Sequence, residues 1–253
     1  MKKALKFVLI ALFWILVWYF VSLIINLPLL FPQPWTVIKR LGELLCSSHF
    51  FMATLSSFGR ILAGILIAIL LGSALALICS LSKTTYEFLT PLVSIIKSTP
   101  IVAFVFLVNL FLYNEKTVIF ISFLMVFPIV FSNIYQGIKS TDKDLIEMCN
   151  LYKVKFKKRL TSLYIPSVIP YFLSSLLSSI GLAWKAGIAA EVLCSPVISI
   201  GIEIYHANES LEFVDLFAWT AWVIILSMIF ELITTKLIKY VLKKKQLVKE
   251  IKL

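Results

Sequence analysis

Residues 141–170 read TDKDLIEMCNLYKVKFKKRLTSLYIPSVIP, the one long polar and basic interruption in a chain that is otherwise largely apolar. The first half has the pattern of a short helix. Thr141 is positioned to cap it, Asp144 follows three residues later as in a capping box, and Leu145, Met148, Cys149 and Tyr152 recur on one face. The second half gathers Lys153, Lys155, Lys157, Lys158 and Arg159 before Ile165-Pro166 opens a new apolar run. An amphipathic helix set in a polar loop needs a surface on which to bury its apolar face.

The rest of the chain says where that loop lies. Of 253 residues, 60% are hydrophobic and 15% charged, with a mean hydropathy of +0.99. A soluble domain carries charge on about a quarter of its residues, so this is an all-α integral membrane protein. The net charge of +11 does not point to nucleic acid, because the basic residues sit between apolar runs and at the ends. Cys46, Cys79, Cys149 and Cys194 are scattered without CxxC spacing, and His49 and His206 stand apart. No metal or cofactor is expected, and no catalytic constellation marks an enzyme. No GxxxxGK[ST] phosphate loop occurs, so any ATP hydrolysis must come from a separate subunit.

About six transmembrane helices are predicted. The first is the run 8–27 after a basic start, too long for a signal core and without a small-x-small cleavage site. The others are 50–81, a discontinuous third, 117–138, 167–193 and 216–237. Ile101 to Tyr113 alone is too short for a ~30 Å hydrocarbon core, so 88–98 must contribute across Pro91 and Pro100. Residues 114–116 read as an outer turn and 194–215 as an outer loop rich in carboxylates (Glu203, Glu209, Glu212, Asp215). Eighteen of the 24 Lys and Arg residues then fall on one side and three (Lys39, Arg40, Lys116) on the other. That bias places both termini and the basic loop in the cytoplasm and the chain, as one multi-pass domain, in the cell membrane. The domain spans 1–253, with a core over 50–240 and the cytoplasmic loop over 139–165.

Charges and small residues inside the spans mark a pathway. Non-helical backbone at membrane depth is tolerated only inside protein or beside water, which singles out Lys97, Ser98 and Thr99 before Pro100; a plain proline kink is the alternative. The fifth span is small and hydroxylated (Ser174, Ser175, Ser178, Ser179, Gly181), as suits a packed or cavity-lining helix. Lys185 within it costs about 2.5–3.5 kcal/mol at the bilayer centre unless compensated. Either it pairs with a carboxylate such as Glu191 or Glu231, or it makes a solute path electropositive. Arg60 reads as snorkelling to the outer interface rather than touching solute. Gly59, Gly64 and Gly72 give the second span faces for close helix approach.

Several of these segments resemble the membrane-spanning permease subunits of binding-protein-dependent ATP-binding-cassette importers. Their signature loop begins Glu-Ala-Ala, has Gly six residues after the Glu and ends in an aliphatic-Pro pair nineteen after it. Glu147, Lys153 and Ile165-Pro166 hold those places, with Met148 and Cys149 replacing the alanines and Lys153 the glycine. Leu30-Phe-Pro-Gln-Pro-Trp-Thr-Val resembles the Leu-Pro-x-Pro-x-x-Val segment of the sulfonate, taurine and nitrate branch. Leu55, Arg60 and Gly64, the Lys97–Pro100 break, and Gly181, Trp184 and Glu191 follow that branch in order. Ser199-Ile-Gly resembles its Gly-Leu-Gly segment, with Ser199 departing from it.

The resemblance implies a type I importer bundle. It would carry a small, anionic solute delivered by an extracytoplasmic substrate-binding protein, with a second permease subunit, identical or different, and cytosolic ATPase subunits. Thr141, Asp144, Leu145, Glu147, Met148, Tyr152, Lys153 and Pro166 would couple to the ATPase. Lys97, Ser98, Thr99, Ser178, Trp184, Lys185 and Glu191 would be candidates for the path. The alternative from the residues alone is an ATP-independent secondary carrier with Lys185, Glu191 and Glu231 as an ion relay.

Overall fold

The computed structural model describes residues 2–244, without side-chain detail at 2–4, 7, 8, 11 and 239–244. Lys245, Lys249 and Lys252 of the basic tail lie outside the described residues. Eleven α-helices and one π-helical turn make up the described chain: α1 (Lys2–Ile25), α2 (Pro34–Leu44), α3 (Ser48–Leu81), α4 (Lys83–Ser98), α5 (Ile101–Leu112), α6 (Asn114–Lys139), α7 (Lys143–Leu151), α8 (Phe156–Arg159), the π-turn (Leu160–Tyr164), α9 (Ile165–Cys194), α10 (Ile200–Glu209) and α11 (Phe213–Lys244). Among the described residues, four helical stretches are long and apolar enough to cross a membrane: Ser48–Leu81, Asn114–Lys139, Phe156–Cys194 and Phe213–Ile238.

The pair α4 and α5 is apolar enough when taken together and turns by 107° at the Thr99-Pro100 break, the geometry of a broken span or of a re-entrant loop. Proline disfavours the helical region for the residue before it, and Thr99 is accordingly extended (ψ 133°). Pro91 and Pro128, by contrast, sit inside helices without ending them.

The chain divides into two compact units: 1–57 with 195–226, and 58–194 with 227–253. In the first, Phe50 is almost fully buried and its ring packs against Trp219 and Trp222, both at 4.9 Å between centroids. The Trp222 indole donates to Thr54 Oγ1 at 2.9 Å, giving the ring its required polar partner. Arg40 on α2 grips Asp215 through two parallel bonds, Nε to Oδ1 at 2.6 Å and an Nη to Oδ2 at 2.7 Å. That fork holds the guanidinium pKa above its usual range, the Asp215 hydrogen bond being the main cause.

The second unit is built where α3, α6 and α9 close on one another. A methyl group added to Gly64 would lie 2.5 Å from the Ile119 carbonyl oxygen and 2.6 Å from Ser122 Cβ. One added to Gly187 would lie 2.5 Å from Ile61 Cγ1 and 3.0 Å from Ser122 Oγ. In lipid, helices associate through such close packing because hydrocarbon supplies no hydrophobic drive between them. Gly72 packs similarly on Val130, whereas Gly59 and Gly181 face open space. Gly64→Ala is therefore expected to lower thermal stability by about 1–3 kcal/mol of overpacking, and Gly59→Ala to leave it unchanged or slightly raised. Thermal unfolding of the two variants in detergent compares them directly.

Several boundaries differ from expectation. The turn after α5 is made at Tyr113 and Asn114 with φ of 52° and 35°, and Asn114, Glu115 and Lys116 already belong to α6. Asn109 Oδ1 holds this turn by accepting from the Asn114 N–H at 2.8 Å and the Thr117 hydroxyl at 3.1 Å. The loop 194–215 contains α10, started by Ser199, whose hydroxyl accepts from the Ile202 N–H at 3.0 Å. The departure from glycine at 199 is thus a helix cap. The basic cluster is also not all loop: Lys157, Lys158 and Arg159 are helical and continue into the next span. Pro166 is accommodated because the preceding turn widens, Ile165 N–H donating to Leu160 O. A proline ring clashes with the carbonyl four residues back in a regular α-helix, and the π-turn moves that carbonyl aside.

Candidate functional site

Between α6 and the Phe156–Cys194 span stands α7, nine residues long, with no buried side chain. Its cap is not Thr141. Asp142 starts the helix, its Oδ1 accepting from the N–H of Asp144 at 2.8 Å and of Leu145 at 3.5 Å. Thr141 is buried instead, and its hydroxyl finds no partner among the described residues. The reason is register: two adjacent capping residues compete, and it is Asp142 (φ −55°, ψ 122°) whose backbone leaves the helical region just before α7.

The far end of α7 closes on Lys153, whose φ is 46°. Lys153 N–H donates to Asn150 O at 3.1 Å and Val154 N–H to Cys149 O at 2.9 Å, the paired bonds of a Schellman motif. The position that carries glycine in the signature loop is therefore a left-handed one. Lysine holds it at a cost of about 1 kcal/mol. Lys153→Gly is expected to stabilise the α7 terminus by about that amount, read as slower backbone hydrogen exchange across 148–154.

With both ends fixed, α7 presents its apolar residues to solvent. Leu145 (41%), Met148 (46%), Leu151 (81%) and Tyr152 (78%) are exposed, as are Asp144 and Glu147. An exposed apolar strip of this kind is a candidate contact surface. Pro166 lies beyond it, within the spanning helix.

The charges inside the spans are arranged differently from the expectation. Glu191, fully buried on α9, pairs with Arg60 of α3 at 3.3 Å, not with Lys185. Arg60 also reaches Glu115 of α6 at 2.9 Å, with only 11% of its side chain exposed. Arg60 is thus a bridge across three helices beside the glycine-packed junction, and the snorkelling reading is overturned. A buried carboxylate without a cation costs several kcal/mol, and that requirement recruits Arg60 from 131 residues away.

Trp184 is likewise in the core, 1% exposed, its ring 6.3 Å from that of Phe58. What α9 does expose is a stripe at helical spacing: Ser174, Ser178, Leu182, Lys185 and Ala189. Lys97 and Ser98 are exposed at the α4–α5 break, with Thr99 half-buried and Lys97 Nζ donating to Ser132 Oγ at 2.9 Å. Of the path candidates, Lys97, Ser98, Ser178 and Lys185 face solvent or lipid, while Trp184 and Glu191 are structural in this conformation.

In the first unit, the carboxylates of 194–215 are largely engaged. Asp215 is held by Arg40, Glu203 by His49 at 2.8 Å, and Glu209 lies 3.8 Å from His206. The Arg40–Asp215 fork and the Ser57 hydroxyl, which accepts from Ile200 N–H at 2.9 Å, had no local sequence signal.

The family of binding-protein-dependent transport system inner membrane components matches residues 64–247, most of the chain. The chain belongs to that family. The relatives of the permease carry the names of bicarbonate, aliphatic sulfonate, taurine and nitrate transport permeases. A bicarbonate transport system permease protein of Synechocystis is 30% identical over 161 residues, 63% of this chain and 57% of the relative. A putative aliphatic sulfonates transport permease protein of Bacillus subtilis is 27% identical over 179 residues, 70% and 64% of the two chains. The taurine transport system permease protein of Escherichia coli is 25% identical over 221 residues, 85% and 80%. The permease chain spans a little over half the length of the bicarbonate relatives it matches.

Proposed function

We propose that this permease is the membrane-spanning subunit of an ATP-driven importer and forms the path for a small anionic solute. The observation that carries the reading is α7: a doubly capped helix whose apolar strip is left in solvent between two spanning helices. Cytosolic ATPase subunits would receive Leu145, Met148 and Tyr152 in a cleft, with Asp144, Glu147 and Lys153 around the rim and Thr141 and Pro166 anchoring the segment to its flanking spans. The chain's span count becomes six when the bent pair and α1 cross as well, with both termini cytoplasmic as the basic bias requires. A second permease subunit would complete the path, and an extracytoplasmic binding protein would deliver the solute.

ATP-driven closure of the ATPase pair would draw the two α7 helices together and rock the spans between inward-open and outward-open states. Nucleotide shifts this equilibrium only because the ATPase grips one state better than the other. The rigid lever is the junction of α3, α6 and α9. The exposed stripe of α9, with Ser178 and Lys185, and the broken segment Lys97–Thr99 would line the route. One lysine from each of two subunits would favour an oxyanion such as those in the relatives' names. The ion-relay carrier loses a member, since the Glu191 carboxylate sits on Arg60.

The test is Lys185→Met in vesicles that hold permease, ATPase and binding protein. Uptake of the anionic solute is expected to fall at least about tenfold while binding-protein-stimulated ATP hydrolysis persists. Unchanged uptake and an unchanged solute range would remove Lys185 from the path.

A further inference from the structure

The second unit holds a cavity that the transport reading does not use. It is ≈ 570 Å³ in volume and lies beside the basic turn, walled by Leu77 and Leu81 of α3, Ile134 of α6, Phe156, Leu160 of the π-turn and Ile169 of α9. It is open, since Leu81 is 89% and Phe156 74% exposed.

Four cationic side chains adjoin wall residues, in contact or in sequence. Lys139 places its Nζ 3.5 Å from the carbonyl of Ser80, itself a wall residue. Lys157 and Lys158 directly follow Phe156, and both are exposed. Arg159 lies over the ring of Tyr164, another wall residue, at 5.6 Å and donates to its hydroxyl at 3.2 Å. No carboxylate forms an ion pair with any of these four among the described residues, and Arg159 Nε is buried without an acceptor. Of the nearest acidic residues along the chain, Asp144 and Glu147 are exposed on α7 and the Asp142 carboxylate caps that helix.

We infer that this cavity is a binding site for an anionic phospholipid, with an acyl chain against the apolar walls and the headgroup phosphate on Lys139, Lys157 and Lys158. An occupant must be oily along its length and negative at one end. A second copy of this basic chain would bring more cations to those already uncompensated, and a neutral lipid would leave them unpaired. Basic pockets between spanning helices collect anionic headgroups for this reason. The site would tie the base of the docking segment to the lipid surface. This inference rests on the chain being membrane-embedded and not on the identity of the solute or the ATPase.

The probe is a phospholipid with a photoreactive acyl chain, carried on phosphatidylglycerol or on phosphatidylcholine, with the full chain in phosphatidylcholine vesicles. The glycerol lipid is expected to label the segments around Leu77, Ile134 and Leu160 at least about fivefold more than the choline lipid. The triple variant Lys139→Gln, Lys157→Gln, Lys158→Gln is expected to erase that preference while keeping the background labelling. Leu77→Trp, which fills the cavity and keeps the lysines, is expected to reduce labelling by both. Equal labelling of the parent by the two lipids, or a cavity protected by a second copy cross-linked across it, would overturn the assignment. The parent comparison needs no variant, and it reads independently of uptake.

Discussion

A permease carrying Leu145→Asp and Met148→Asp is expected to accumulate in the membrane like the parent and to lose ATP-driven uptake to background. Both side chains are exposed, so the change costs the isolated subunit within about 0.5 kcal/mol. In the ATPase cleft, each new carboxylate would be desolvated without a partner. A penalty of about 3 kcal/mol or more corresponds to at least about a hundredfold loss of docking, at tenfold for every ~1.4 kcal/mol. Solute uptake and coupled ATP hydrolysis in the same vesicles separate loss of coupling from loss of the subunit. Normal uptake by this variant would show that the strip on α7 is not the docking face.

The largest expected stability effect lies at the Arg60–Glu191 pair. Glu191→Gln removes the fully buried carboxylate from the Arg60 guanidinium, itself 11% exposed, while Glu115, which also pairs with it, is 60% exposed. Breaking one side of a buried pair costs about 3–5 kcal/mol because the remaining charge stays desolvated. Removing both charges, Arg60→Met with Glu191→Leu, is expected to recover most of that loss. Glu115→Gln, whose side chain is 60% exposed, is expected to cost under about 1 kcal/mol. Thermal unfolding across this cycle measures the coupling, and additive single and double effects would show that the bridge contributes nothing of its own.

The pattern of legibility follows from the range of each interaction. The break at Pro100 could be read because proline acts on its immediate neighbours through sterics alone. The helix α7 could be read because its apolar repeat and its flanking apolar segments are local. Its cap slipped by one residue because Thr141 and Asp142 are both competent, and only the path of the chain leaving α6 chooses between them.

Arg60 was misread for a different reason. Its partner Glu191 is 131 residues away, and a lone cation near a span end has the same local appearance whether it snorkels or bridges. Lys185, which looked in need of a carboxylate, is the charge left exposed, because the geometry of α3 and α9 at Gly187 brings Arg60 to Glu191 first. The helix α10 was hidden in a supposed loop because ten residues of mixed polarity carry little periodic signal. Its Ser199 cap was visible only as a departure from glycine.

The central claim is that α7 is an intracellular handle held by a nucleotide-hydrolysing partner. The most direct test places a photoreactive benzophenone amino acid at position 148, with position 35 as an exposed control (Trp35, 75% exposed), in membranes that express the whole transport system. Irradiation is predicted to join position 148 to a protein bearing a GxxxxGK[ST] loop, in a yield that changes with ATP, and to spare position 35. An adduct of position 148 with lipid or with an extracytoplasmic protein, and none with such an ATPase, would contradict it.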